Sequence, residues 1–214
     1  MDNKILDAVK SKWAKWCQNH HFQYFDNENI LLVDWTEYYR AKGEQGDLKI
    51  HTEIPVVNEE GDEMVGISLK NSDRLPITFD LMSPNALPKK KSDGHKQCET
   101  IIYPKGCDCV SDWVLLMELK YAKSFETALD SERGYAEKML EQIKGTNDFL
   151  RVNNVLCDDT VVYGIVAFPT LITDIYSGFL HGLYDTDNIF IEHKIVLKVT
   201  TSVNIVSRTH IDFV

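Results

Sequence analysis

Three residues of this chain have the types and spacing for phosphodiester chemistry: Asp108, Glu118 and Lys120. A metal-dependent phosphodiesterase holds a Mg²⁺ ion on acidic side chains at about 2.1 Å per oxygen. It also needs a group that orients or deprotonates the attacking water, and a positive charge near the phosphorus. Glu118 supplies one carboxylate and Lys120 the charged group. The second carboxylate has to come from elsewhere in the chain. Asp112 fails on geometry, because six extended residues put it roughly 20 Å from Glu118. Asp108 does better if the preceding strand folds back antiparallel through a three-residue loop at Ser111 to Trp113. Asp108 then pairs with Leu116, on the face of Glu118 and one diagonal step of about 7–8 Å away. A two-residue loop would turn it to the other face, so the reading demands that connection or a bulge.

The element that positions Glu118 is the clearest in the chain. Trp113 to Lys120 reads Trp-Val-Leu-Leu-Met-Glu-Leu-Lys, six apolar residues followed by Glu-x-Lys. A run this apolar suits a strand buried on both faces. Alternation sends Glu118 and Lys120 to one side. A carboxylate and an ammonium at the end of a core strand are costly to bury, so they need a partner or a task. An isolated Glu-x-Lys also reads as a simple strand-end ion pair. Around it, Glu99 to Val110 carries a strand signal interrupted by Pro104 and Gly106. Ser131 caps a predicted helix reaching about Leu150, and Val161 to Phe168 suits another buried strand. Strand, strand, helix, strand in that order predicts an α/β fold: a mixed central β-sheet flanked by helices, with a crossover helix.

Asp108, nine residues, then Glu118-Leu119-Lys120 at the end of an apolar strand resembles the PD-(D/E)XK nuclease superfamily of restriction-endonuclease-like and RecB-like proteins. The resemblance implies a restriction-endonuclease-like core, Asp108 and Glu118 as ligands of Mg²⁺ or Mn²⁺, and Lys120 beside the attacking water. Cys107 stands where the family name has proline. In the following helix Tyr135, Met139, Gln142, Thr146 and Phe149 form one stripe. Gln142 is polar on a face that otherwise looks buried, and it matches a glutamine that several RecB-like members carry near the active site. It reads equally as a helix-surface glutamine at the stripe's edge. The likeness covers roughly residues 99–168. Many such nucleases add an acid from an upstream helix, for which Glu37 and Glu44 are candidates. Asp80 is the reserve for the role of Asp108.

The rest of the chain is read more coarsely as one domain. Residues 1–95 are an N-terminal elaboration, 96–170 the nuclease-like core and 171–214 a β-rich C-terminal part. The spacing predicts a helix from Lys4 to Cys17, strands near Ile30 to Trp35, Ile50 to Val57, Met64 to Leu69 and Ile77 to Leu81, and a helical turn at Thr36 to Arg40. The Pro-rich stretch from Ser83 to Gly94 contains Lys89, Lys90 and Lys91, which suit a solvated loop or nucleic-acid contact near the site. The helical spacing of Trp13 and Trp16 favours packing over base stacking. His95, Cys98, Cys107 and Cys109 have an irregular spacing that argues against zinc. His20 and His21 have no partner that the sequence names.

With 43% apolar and 26% charged residues, the composition is that of a globular protein. No apolar run spans a bilayer, so no membrane partner is expected. Five cysteines without a secretory leader point to a reducing cytoplasm. The net charge of −10 weighs against diffuse long-range attraction to nucleic acid, though not against a local basic groove or metal-mediated phosphate contact. Taken with the resemblance, the residues predict a metal-dependent nuclease hydrolysing DNA. The resemblance alone implies a setting in restriction, anti-phage defence or repair, and cutting both strands of a duplex suits a homodimer or a partner protein. The rival is a non-catalytic binding or assembly subunit on the same fold.

Overall fold

The structure is a computed structural model that describes residues 3–88, 96–122, 124–129, 134–171 and 185–214, the side chains of residues 125 and 129 excepted. It is a mixed α/β protein built on two sheets where the sequence predicts one. The larger has the order β1 (His20–Phe25), β5 (Ile77–Met82), β6 (Thr100–Pro104), β7 (Val114–Leu119), β8 (Val162–Ala167) and β9 (Ile195–Val199). Its first four strands are antiparallel and its last three run parallel. The smaller joins β11 (Ile211–Phe213), β10 (Ser202–Ile205), β4 (Ile67–Lys70), β2 (Asn29–Asp34) and β3 (Leu48–His51). Strands from residues 1–95 and from 171–214 therefore enter both sheets, and neither segment is a separate layer.

Alternation assigns the faces. Ile102, Leu115 and Met117 of the larger sheet meet Ile30, Leu32, Ile67 and Val203 of the smaller in one apolar layer. On the opposite face Ile101, Leu116 and Val166 pack under helix α1 (Lys4–Ser11) and helix α4 (Tyr135–Val152). All six residues of β7 are buried, as its composition predicts. A parallel neighbour needs a crossover, and α4 supplies it between β7 and β8. The two shorter helices between α1 and α4 are α2 (Thr36–Ala41) and α3 (Phe125–Leu129). A further helix, Thr186–His193, stands before β9, in a segment the sequence reads only as β-rich. Ser131 lies outside the described residues, and α4 starts after Gly134, which sits at φ 55°. Among the described residues no helix is long and apolar enough to cross a membrane.

The β6–β7 connection departs most from expectation. Thr100 pairs with Met117, Ile101 with Leu116 and Ile102 with Leu115. Leu116 thus faces Ile101, where the sequence reading has Asp108. The two strands are joined by the whole segment 105–113 and not by a three-residue turn. That segment is held by its own polar contacts. The Asp112 carboxylate takes Arg208 Nε at 3.1 Å and Nη2 at 2.6 Å, and Trp113 Nε1 donates to Ser207 O at 2.8 Å.

Helix α4 fixes the chain that enters β6. The Thr146 hydroxyl accepts from Cys98 N at 2.8 Å, and Gln142 Nε2 donates to Gln97 O at 3.0 Å. Between them Gly145 lets the backbone come close, since a Cβ there would sit 2.3 Å from Lys96 O. Replacing a mid-helix glycine by alanine normally adds about 1 kcal/mol to helix stability. Here Gly145→Ala should instead destabilise the protein by about 1–3 kcal/mol, as overpacking does. Urea unfolding checks this, and a gain in stability would refute the close approach.

Candidate active site at the end of the larger sheet

The register that displaces Asp108 brings another acid to Glu118. Continuing the β6–β7 pairing by one step sets Glu99 directly opposite Glu118, and Glu99 N donates to Met117 O at 3.1 Å. Both acids fall on the α4 side of the sheet, with Lys120 two residues on. The two carboxylates are tied to each other's strand. Glu118 Oε2 accepts from Glu99 N at 3.0 Å, and Glu99 Oε2 accepts from Leu119 N at 3.2 Å. Lys120 Nζ lies 2.7 Å from Glu99 Oε1 and 2.7 Å from Glu118 Oε1. The Lys120 ammonium is the one polar neighbour of the buried Glu118 Oε1 among the described residues.

Exposure falls inward across the three side chains. Lys120 is 32% exposed, Glu99 26% and Glu118 not at all. Burial pushes the Glu118 carboxyl well above the ordinary carboxylate range; Glu99 adds to the push and Lys120 opposes it. Burial raises Glu99 as well, against the pull of Lys120 and helped by Asp34. Burial alone would lower the Lys120 ammonium, but the two carboxylates outweigh it and hold it above its usual value. With both acids ionised the trio carries a net negative charge in a low-dielectric setting. Such a site favours a further cation.

The arrangement suits a hard divalent ion in its donor chemistry. Mg²⁺ is commonly bound through one or two carboxylates while it keeps several waters. Glu99 and Glu118 would supply those carboxylates, with the under-satisfied Glu118 Oε1 as the oxygen most in need of a partner. Among the described residues there is no group of three or more His, Cys, Asp or Glu side chains fit to hold a metal. Asp34, at the end of β2, is the nearest further acid in electrostatic terms, and its Oδ1 accepts from Thr36 N at 2.9 Å.

Glu99 stands on the floor of a cleft of about 1480 Å³ that passes between the ends of the two sheets. Asp34, Thr36 and Lys49 come from the smaller sheet's side, His21 and Ser83 from the β1–β5 side, and Lys138 and Gln142 from α4. No family model, curated protein or solved structure matches the chain. The site is therefore read from its own chemistry.

Other sequence candidates sit elsewhere. Asp108 is exposed within the β6–β7 connection, beyond the opposite end of β7 from Glu118, a stretch of strand that alone spans about 13 Å from Val114. Its Oδ1 accepts from Val110 N at 2.9 Å and Ser111 N at 3.2 Å, and these bonds hold its carboxyl below the ordinary range. It is a turn residue. Asp80 shares the sheet face of Glu118 but is two strands away on β5, buried against His20 Nδ1 at 2.6 Å. Glu37 pairs with Arg40 on α2, whereas Glu44 does line the cleft. Gln142 reaches the site through backbone: it holds Gln97, two residues before Glu99. Lys89, Lys90, Lys91 and His95 lie outside the described residues. Cys107 and Cys109 are buried with their sulfurs 3.4 Å apart, and burial pushes the Cys98 thiol up to about 12, which leaves it a poor nucleophile.

The raised carboxyls predict a pH trend. An acid whose folded pKa exceeds its unfolded one stabilises the fold below the unfolded value, here the ordinary 4.5, and loses that contribution as pH rises toward the folded value. Metal-free protein should therefore lose thermal stability as pH climbs above 4.5, and Glu118→Gln should flatten the decline. Melting temperatures of both proteins, measured from pH 4.5 upward, test it. Parallel curves would refute ionisation of Glu118 as the cause.

Proposed function

We propose that the protein is a metal-dependent nuclease hydrolysing phosphodiester bonds of DNA, with a restriction-endonuclease-like PD-(D/E)XK core in which Glu99 takes the part first assigned to Asp108. The observation that carries this is the convergence of Glu99, Glu118 and Lys120 at the end of a buried strand, with Glu99 lining a cleft. The supporting topology is an antiparallel trio, β5–β6–β7, followed by a crossover helix and a parallel strand.

Glu99 and Glu118 would hold Mg²⁺ or Mn²⁺. When bound, the ion supplies Lewis-acid stabilisation of the charge that develops on the phosphoryl oxygens. The chain's own residues do the rest. The reciprocal backbone bonds of Glu99 and Glu118 keep both carboxylates in place without a change on binding, which is the preorganisation that electrostatic catalysis needs. Lys120 is an ammonium beside both acids and about one-third exposed, at 32%. There it orients a water for attack and offsets negative charge in the transition state. Gln142 is a positioning residue, because its amide holds the backbone that leads to Glu99.

The rival reading, a binding or assembly subunit on the same fold, draws on one observation: Lys120 already bridges both carboxylates. A closed ion network of this kind can serve as structure alone. The two readings differ in a measurable way. A nuclease gains thermal stability with Mn²⁺ and cuts DNA; a closed ion network does neither.

Wild type should cleave DNA in Mn²⁺ or Mg²⁺. Glu99→Ala, Glu118→Ala and Lys120→Ala should each lose at least about a hundredfold in rate, the scale of an electrostatic or acid–base group. Asp108→Ala should keep its activity and lose only about 1 kcal/mol of stability, the usual cost of a lost capping bond. Loss of cleavage in Asp108→Ala with retention in Glu99→Ala would reverse the assignment.

A further inference from the structure

The cleft has a composition that the carboxylate site does not explain. Its basic side chains, Arg40, Lys49, Lys96 and Lys138, are matched by an equal number of carboxylates, Glu99 among them. Several are already paired: Arg40 with Glu37, Lys49 with Asp47 at 3.5 Å, and Lys96 with Glu141. Among the described residues this charge-balanced cleft, in a protein of net charge −10, shows no positive stripe of the kind by which duplex binders neutralise phosphates. Binding energy then has to come from elsewhere on the ligand.

Amide side chains offer it. Five of them line the cleft: Gln23, Gln45, Asn85, Gln97 and Gln142. Gln97 is committed to Ser83 O and Leu87 N, and Gln142 to Gln97 O. The side chains of Gln23, Gln45 and Asn85 have no hydrogen-bond partner among the described residues. A side-chain amide offers both donors and an acceptor, the pattern that reads the edge of a base. In a duplex the Watson–Crick edges are occupied by pairing, whereas an unpaired strand presents them. The volume agrees, since about 1480 Å³ exceeds the roughly 300–1,000 Å³ of a pocket for one drug-sized molecule and suits a short run of nucleotides. Access agrees too. Glu118 is fully buried and Glu99 alone of the three lines the cleft, so a phosphate in the cleft meets the site at Glu99.

We infer that the substrate is a single-stranded segment of nucleic acid, threaded between the ends of the two sheets and held by its bases against Gln23, Gln45 and Asn85. This rests on the nuclease reading and narrows it. With Arg40 and Lys49 held by their own carboxylate partners, the amides supply most of the affinity. Binding should accordingly show a shallow salt dependence.

The test uses one labelled sequence as single-stranded DNA, single-stranded RNA and duplex DNA, with cleavage followed in Mn²⁺ and binding followed by fluorescence anisotropy in Ca²⁺. The expected result is that at least one single-stranded form is bound and cut about tenfold or more better than the duplex, and the two arms say which sugar is accepted. Gln23→Ala and Gln45→Ala should each weaken single-strand binding roughly three- to tenfold, the scale of one hydrogen bond. Neither variant should alter the thermal shift produced by Mn²⁺ alone. Equal or preferential binding and cutting of duplex, with the Mn²⁺ shift intact, overturns the strand preference and leaves the nuclease reading standing. No cleavage and no Mn²⁺ shift sinks the nuclease reading, and absent or unselective binding in the same experiment overturns this inference with it.

Discussion

Burying Glu118 at the end of β7 is the constraint on which the rest of this structure turns. A carboxylate removed from water has to be met by donors or by charge, or it protonates. Here one oxygen is met by the backbone of Glu99 and the other only by the Lys120 ammonium. That solution works only if Glu99 stands directly opposite Glu118, which fixes the register of β6 against β7. The register in turn depends on α4, because Thr146, Gly145 and Gln142 set where residues 96–98 run before β6 begins. Crossover helix, strand register and buried acid thus form one connected requirement.

The two ends of the β6–β7 pair show how differently similar side chains can be used. At one end Asp112 is buried, yet both of its oxygens are met by the Arg208 guanidinium. Asp108 beside it is satisfied by the backbone of its own turn. Asp112 anchors the long 105–113 connection to the C-terminal segment, and Asp108 shapes the turn within it. At the other end Glu118 Oε1 meets only the Lys120 ammonium, two carboxylates share that one ammonium, and a cleft opens beside Glu99. Chemistry is to be expected where charge is left incompletely balanced next to an entrance. The second sheet matters for this reason. By packing its inner face on the larger sheet it brings Asp34 and Lys49 across from α4 and turns a strand end into a cleft wall.

A buried His20–Asp80 pair lies two strands from Glu118 on the same face. Its Nδ1–Oδ2 distance of 2.6 Å and the bond from His20 Nε2 to Ala86 O at 3.1 Å tie β1 to β5 and to the segment leading away from β5. Burial raises the Asp80 carboxyl, with His20 opposing. The pair braces the β1–β5 wall of the cleft from behind, while His21 faces the cleft itself, its Nε2 2.9 Å from Ser83 Oγ.

Local pattern was enough for the elements whose burial is written into their composition. The apolar run of β7, the stripe of α4 with Gln142 on it, and the β-branched run of β8 each announce their type, because periodicity depends only on near neighbours. Glu118 and Lys120 follow from strand alternation alone, so their common side was legible before any fold was known. The second acid was not. Choosing between Asp108 and Glu99 requires the length of the connection between two strands. That length was decided by Arg208, nearly a hundred residues away, gripping Asp112. The second sheet escaped for a related reason: β2, β4 and β10 are short strands whose partners are far apart in sequence. Which of them pair depends on what they cover and not on their own residues. The sequence by itself therefore determined the buried strand and the charged pair at its end. Only tertiary structure decided which acid faces that pair and what closes over it, since strand register and sheet packing are settled by contacts no local window contains.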